Sequence, residues 1–309
     1  MATICVIMPT LNAGNHLEKS LGAILNSPIP SKTLVVDSGS SDSTVQKARA
    51  LGAEVIIIPK KEFNHGATRE MARKLLNTDI VVFITQDAYP NDEHLLERLV
   101  SPIISGDAAV AYARQIPHAG AKILEALPRE FNYGQHPQLR GIEDARYHGV
   151  YTFFCSNSGA AYSNEALDLI GGFKPTLTNE DYFAVAELLI AGYKVAYVPD
   201  AVVRHSHRYK LVEEFQRYFD TGYVRAERPW IQELVGAAEN RGKDFFLALI
   251  KKLAREEPRL IPYALLQTFM KWLGYRFGFY GYKLPLAVKR SFSSQKYYWD
   301  SCYYLHKVQ

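Results

Sequence analysis

Over the first 110 residues, short apolar runs alternate with helical patterns. Thr3–Met8 (TICVIM) is rich in β-branched residues and stops at Pro9. Thr33–Val36, Glu54–Ile58 and Ile80–Ile84 are further runs of the same kind. Between the first two, Leu17, Leu21, Ile24 and Leu25 recur at helical spacing within Asn15–Leu25. Apolar strands without in–out alternation, separated by helices, predict βαβ units and a parallel sheet buried on both faces. Such sheets bind ligands beyond the carboxyl ends of their strands. The residues just after each run are therefore the ones to inspect.

Those residues are Pro9–Gly14, Asp37–Thr44, Phe63–Arg69 and Thr85–Pro90. They bring small residues, hydroxyls and carboxylates to one edge, which suits a phosphorylated, hydroxyl-rich ligand and a hard cation. Residues 112–149 show little periodicity. Tyr151–Cys155 reads as a strand, Asn164–Ile170 as a helix closed by Gly171-Gly172, and Glu180–Leu189 as another helix. Lys194–Val198 and Ala201–Val203 read as a strand pair, and from Leu211 the pattern is helical and aromatic. The pattern divides off a unit over 1–210, whose two halves meet at about 110. A helical C-terminal region fills 211–309.

Composition changes this picture little: 48% hydrophobic and 22% charged residues are ordinary for a globular chain of 309 residues. Cys5, Cys155 and Cys302 are too few and too scattered for a disulfide framework, so they are expected as reduced thiols in a cytoplasmic protein. The first cation is Lys19, so the apolar N-terminus lacks the basic start of a signal peptide. No uncharged apolar run reaches the roughly 18 residues of a spanning helix.

Charge changes it more. Residues 241–309 hold 13 Lys/Arg against 4 Asp/Glu, whereas the rest of the chain is mildly acidic. Residues 269–309 also hold 13 aromatic residues. Two helical stripes, Phe246/Leu249/Ile250/Leu253 and Phe269/Met270/Leu273/Phe277, are edged by Lys and Arg. Such stripes suit a helix lying in a membrane interface, and equally a packed subdomain or a dimer surface. No nucleic-acid motif accompanies the charge, so nucleic acid is not an expected partner.

Three carboxylate sites stand out. Asp37 follows a strand and precedes Ser-Gly-Ser-Ser-Asp, where it can accept from a base imide or a ribose hydroxyl. Asp87, after another strand, can hold Mg²⁺ or Mn²⁺ and through it a diphosphate. Glu180-Asp181 can supply a general base. Taken singly, each is equally a turn or cap residue. His205 can complete a metal site, while His207 reads as structural.

The ordered set is more specific. Val6–Asn12, Val36–Asp42, Glu62–Arg69, Phe83–Ala88, Ala113–Pro117, Phe131–Tyr133, Phe154–Ala160, Asn179–Asp181 and Val203–Tyr209 span about two thirds of the chain. In that order they resemble family 2 glycosyltransferases of the GT-A fold, and within them the bacterial rhamnosyltransferases. The resemblance implies an α/β nucleotide-diphospho-sugar transferase fold: a mostly parallel central sheet flanked by helices, then the basic, aromatic-rich helical region. It implies inverting transfer of L-rhamnose from dTDP-β-L-rhamnose to a saccharide hydroxyl, on a lipid-linked acceptor, in bacterial surface-polysaccharide (O-antigen) synthesis. The protein would then sit at the inner face of the cytoplasmic membrane, with a homodimer open. A UDP- or GDP-sugar donor, or a non-catalytic nucleotide-sugar-binding scaffold, are the alternatives.

By the same resemblance Asp181 is the catalytic base. Pro9, Thr10, Asn12, Asp37, Gly39, Ser40, Asp42, His65, Gly66, Arg69, Gln86 and Asp87 form the donor site. Arg114, Asn157 and Glu180 line the acceptor side, and Asp87 with His205 holds the metal. One departure bears on the metal. The family often carries Asp-x-Asp, and this chain carries Thr85-Gln86-Asp87, leaving one acid to do the work of two.

Overall fold

The structure is a computed structural model that describes residues 2–235 and 239–308. Its strands are β1 (Ile4–Thr10), β2 (Lys32–Asp37), β3 (Glu54–Ile57), β4 (Ile80–Phe83), β5 (Tyr89–Pro90), β6 (Val110–Ile116), β7 (Gln138–Arg140), β8 (Ala160–Ser163) and β9 (Val195–Arg204). They form one sheet in the order β3-β2-β1-β4-β8-β6-β9-β5, with β7 beside β9. The sheet is mixed. β3-β2-β1-β4 is parallel, as the apolar runs predict, and so is β6 with β9. Antiparallel pairings of β8 with β4 and β6 join the two blocks.

The absence of in–out alternation has its cause in burial on both faces. Cys5 and Ile7 of β1, with Val81 and Phe83 of β4, enter one core. Val6 and Met8, with Ile80 and Val82, enter the other. Helices Leu17–Leu25 and Leu95–Ile104 cover the second face through Leu21, Ile24, Leu96 and Leu99. Helix Glu180–Ile190 covers the first through Phe183, Val185 and Leu188. Trp299 and Tyr298, near the C-terminus, belong to that same first core. The C-terminal region is thus packed into the catalytic body.

Two expectations differ from the structure. Residues 195–204 are one strand, not two: the register against β6 slips between Ala113 and Arg114, so Pro199-Asp200-Ala201 is absorbed as a bulge. Tyr151–Cys155 is not a strand. Gly149–Phe153 is a 3₁₀ turn wrapped around the buried Arg140, whose guanidinium donates to the carbonyls of Tyr151 (2.9 Å) and Phe154 (2.7 Å).

Helices Leu211–Ala226 and Ile261–Phe279 pack closely enough that a Cβ on Gly274 or Gly278 would lie within 2.2 Å or 2.0 Å of a carbonyl oxygen on the facing helix. The stripe on helix Glu239–Glu256 is core: Leu249 and Leu253 pack with Ile123, Leu127 and Ala264. The stripe on helix Ile261–Phe279 is different, because Phe269 and Phe277 are exposed, as is neighbouring Trp272. Among the described residues no helix is long and apolar enough to cross a membrane. The three thiols are free, Cys5 and Cys155 buried and Cys302 exposed.

Candidate active site

A cleft of about 530 Å³ opens at the carboxyl ends of β1, β2 and β4. Pro9, Thr10, Gln86, Asp87, His65, Arg69, Asn157, Glu180, Asp181 and His205 line it. Ten predicted residues from six separate segments therefore meet in one place.

The loops after β1 and β2 form its floor. Asp37 is 1% exposed and does not line the cleft. Its carboxylate accepts from Thr10 Oγ1 (3.1 Å), Ser40 Oγ (2.5 Å), Gly39 N (3.0 Å) and Ser40 N (2.8 Å). Gly39, at φ +84°, allows that turn. Asn12 N donates to Ser40 Oγ (2.7 Å), and Asn12 Oδ1 accepts from Ser41 N (2.9 Å). Asp42 accepts from Gly14 N and Thr44 N, both at 3.0 Å. Asn12, Asp37, Gly39, Ser40 and Asp42 thus knit two loops together behind the cleft wall. Gln86 ties its side chain to both backbone groups of Leu11 (2.8 and 3.2 Å), fixing the loop that presents Pro9 and Thr10.

The segment Phe63–Arg69 has a local explanation. Asn64 caps helix His65–Leu76 by accepting from Gly66 N and Ala67 N, both at 3.1 Å. His65 therefore stands in the first turn, at the cleft. A Cβ on Gly66 would lie 2.1 Å from Lys174 O, so only glycine permits this approach.

The acid pair occupies the first turn of helix Glu180–Ile190. Glu180 Oε1 is buried against Arg69 Nη1 (2.9 Å) and Asn157 Nδ2 (3.1 Å). Burial opposes its charge, but Arg69 and then His65 hold its carboxyl below the usual range. Asp181 lines the cleft and accepts from Asn157 N (3.1 Å) and Tyr182 N (2.8 Å). Burial, followed by the Glu180 charge, pushes Asp181 up to about 7. Arg69 is thus spent on Glu180 rather than free for a phosphate.

In the same cleft, Asp87 Oδ1 lies 3.5 Å from His205 Nε2, and Oδ2 lies 3.5 Å from His207 Nε2. One ligand atom from each of the three residues falls within 4.8 Å of the others. Gln115 Nε2 donates to Ser156 Oγ (2.8 Å), which leaves Gln115 Oε1 to accept from His205 Nδ1 (3.0 Å). This fixes the ring of His205 with Nε2 facing Asp87. Burial, then His205, pushes His207 down to about 3. Burial works against the charge on Asp87, yet hydrogen bonding and the attraction of both histidines hold its carboxyl well below the usual range. A carboxylate and two imidazoles gathered this closely, with an orienting Gln behind one of them, form a set that can hold a divalent cation.

Arg114 does not reach this site. Strand residues alternate sides, so on β6 Gln115 reaches the cleft residues Ser156 and His205 while Arg114 lies on the other side, near Tyr197. The structure adds residues that sequence reasoning missed. His207 had a signal, since two histidines at i and i+2 in an extended segment share a side. Gln115 and Ser156 act only through contacts across the sheet. Lys60, Phe63, Arg217, Gln295 and Tyr297 also line the cleft, the last three from the C-terminal region.

The strand ends, the buried acid pair and the Asp/His₂ cluster meet in one cleft, and the chain is a glycosyltransferase. It belongs to glycosyl transferase family 2, whose sequence profile matches residues 5–171. It is 43% identical over 305 residues to the O-antigen chain rhamnosyltransferase RfbN of Salmonella typhimurium, covering 97% of each chain. It is 40% identical to the O-antigen chain rhamnosyltransferase WbaN of Salmonella anatum, covering 98% of each. Its fold is similar to that of a Pyrobaculum calidifontis mannosyltransferase solved with GDP-Man and Mn²⁺, at TM-score 0.61 and 18% identity, covering 92% of this chain and 88% of that one.

Proposed function

We propose that the protein transfers L-rhamnose from dTDP-β-L-rhamnose to a hydroxyl of a lipid-linked saccharide during O-antigen synthesis. The observation that carries this reading is the cleft itself, which Asp181 lines together with Asp87, His205 and His207. Resemblance to two rhamnosyltransferases over nearly the whole chain supports the choice of sugar.

The chemistry follows from the side chains. Asp181 accepts the proton of the attacking hydroxyl, using lone pairs not taken by Asn157 N and Tyr182 N. The hydroxyl oxygen bonds to the anomeric carbon as the bond to the diphosphate oxygen breaks, and dTDP leaves with that electron pair. Attack from the opposite face inverts β to α. A base near the working pH combines a useful deprotonated fraction with real basicity. Arg69 and Asn157 hold Glu180 and Asp181 in place. Mg²⁺ or Mn²⁺ at Asp87, His205 and His207 would neutralise charge on the leaving diphosphate.

The outer face of helix Ile261–Phe279 is the proposed contact with the membrane that carries the acceptor. Phe269 and Trp272 are 51% and 57% exposed there. Arg276 and Lys283 lie beside the exposed rings of Tyr280 and Tyr282. Aromatics flanked by cations fit an anionic lipid interface.

The test is a thermal-shift panel with dTDP, UDP and GDP, each with and without Mn²⁺. A ligand at about 100 times its dissociation constant adds about 2.7 kcal/mol of stability. The largest shift is expected with dTDP plus Mn²⁺. A larger shift with UDP or GDP would discard the rhamnose donor, and none with any nucleotide would favour a scaffold.

A further inference from the structure

The C-terminal region reaches back into the cleft. Helix Leu286–Phe292 is followed by a short link and the 3₁₀ turn Lys296–Asp300. Within this stretch Gln295 and Tyr297 line the cleft, while the next two residues, Tyr298 and Trp299, are buried in the catalytic core. Trp299 meets Tyr223 edge-on at 4.9 Å and Tyr304 at 5.0 Å, which fixes the segment from below.

From the side, the segment is held by Asp220. This residue is 1% exposed on helix Leu211–Ala226, and its Oδ2 accepts from Ser294 N (2.9 Å) and Ser294 Oγ (2.5 Å). Ser293 Oγ in turn accepts from Gln295 N (3.0 Å). The Tyr297 hydroxyl donates to Gln295 Oε1, so the two cleft residues also fix each other.

What they face is informative. Tyr297 lies against Phe63, ring centroids 6.2 Å apart, and Phe63 meets His65 edge-on at 4.9 Å. His65 adjoins Arg69 and Glu180, next to the base Asp181. The aromatic corner therefore adjoins the His65–Arg69–Glu180 cluster beside Asp181, and the Glu180 charge reaches Tyr297. Flat aromatic walls with one amide at the edge suit a pyranose, which offers apolar C–H faces and a polar rim.

The geometry points to an acceptor-sugar subsite made by Tyr297, Phe63 and Gln295, with Asp220 as the positioning residue that seats the C-terminal segment there. This rests on the transferase reading and adds the place and chemical class of the second substrate. It also makes residues 293–300 a wall of the acceptor pocket.

The test measures two things separately on the full chain: nucleotide binding, by the dTDP/Mn²⁺ thermal shift, and acceptor KM with saturating dTDP-rhamnose. The acceptor probes are octyl β-galactoside, octyl β-glucoside and octyl β-mannoside, each taken to high millimolar concentration. Tyr297→Ala is expected to raise the KM of the best acceptor about tenfold, the size of one lost aromatic contact, and to leave the dTDP shift unchanged. Tyr297→Phe keeps the ring and is expected to stay within about twofold. Asp220→Ala is expected to raise acceptor KM like Tyr297→Ala, with slow donor hydrolysis in the absence of acceptor unchanged. Loss of that hydrolysis along with the KM effect would make Asp220 a merely structural residue. An unchanged acceptor KM in Tyr297→Ala overturns the subsite, as does a loss confined to donor-sugar affinity, or a wild-type protein that uses none of the glycosides. A wild type with no dTDP shift is a different failure, since it removes the donor reading itself.

Discussion

Replacing Asp181 by Asn tests two consequences of one environment. Burial and Glu180 raise the carboxyl from 3.8 to about 7. The folded protein therefore holds a proton between those values that the unfolded chain has released. Its stability must fall as pH rises through that window, because there the native state binds more protons. Between pH 5 and pH 8 the penalty grows by about two pK units, roughly 2–3 kcal/mol as an upper figure, since the cleft mouth admits solvent. Asn removes this pH-dependent term.

Asn also has one carbonyl where Asp has two oxygens, each taking a backbone N–H. One N–H loses its acceptor, at a cost of about 1–3 kcal/mol that does not vary with pH. The informative quantity is therefore the change with pH of the difference in Tm between variant and wild type. At about 2 cal/mol/K of unfolding entropy per residue, 309 residues convert the upper figure to about 4 °C. Scanning calorimetry at pH 5 and pH 8 should show the variant gaining up to that much on wild type. In the same protein, turnover should drop about 10²–10⁴-fold at pH 8 with dTDP binding intact. A Tm difference flat in pH would refute the raised carboxyl, and wild-type turnover would refute the base.

Gln115→Leu should weaken Mn²⁺-dependent dTDP binding about 10–100-fold by releasing His205, read as the Mn²⁺ concentration needed for half the thermal shift; an unchanged requirement would remove His205 from the cation set. Gly66→Ala should destabilise the fold by about 1–3 kcal/mol in urea titration, because its Cβ would meet the Lys174 carbonyl. Phe269→Glu with Trp272→Glu should abolish sedimentation with phosphatidylglycerol vesicles while leaving the dTDP shift intact; equal binding by wild type and variant would place the membrane contact elsewhere, and a change in oligomeric state instead would make this face a dimer surface.

β1 to β4 and the cleft edge were legible because apolar runs buried in the sheet leave a pattern that needs no partner to be read, whereas β6 and β8, at the centre of the sheet, were not. Asp87, His205 and Asp181 were legible as polar groups at element ends, and the structure brings them into one cleft. Asp37 looked the same in sequence, but its own turn consumes its carboxylate. Arg114 was a parity error of one residue, next to Gln115, at the point where the β6–β9 register slips. The Pro199-Asp200 pair reads locally as a turn and is a bulge only because β6 runs past it. Tyr297 left no local signal at all. Its place beside Phe63 depends on Trp299 entering a core built from the far end of the chain.

The most direct test of the central proposal is the product formed from dTDP-β-L-rhamnose and a lipid-linked saccharide extract in the presence of Mn²⁺, analysed by mass spectrometry and NMR. Expected is a rhamnosylated acceptor with an α linkage, absent with EDTA and absent in Asp181→Asn. Transfer from a UDP- or GDP-sugar but not from dTDP-rhamnose, or a β-linked product, would contradict it.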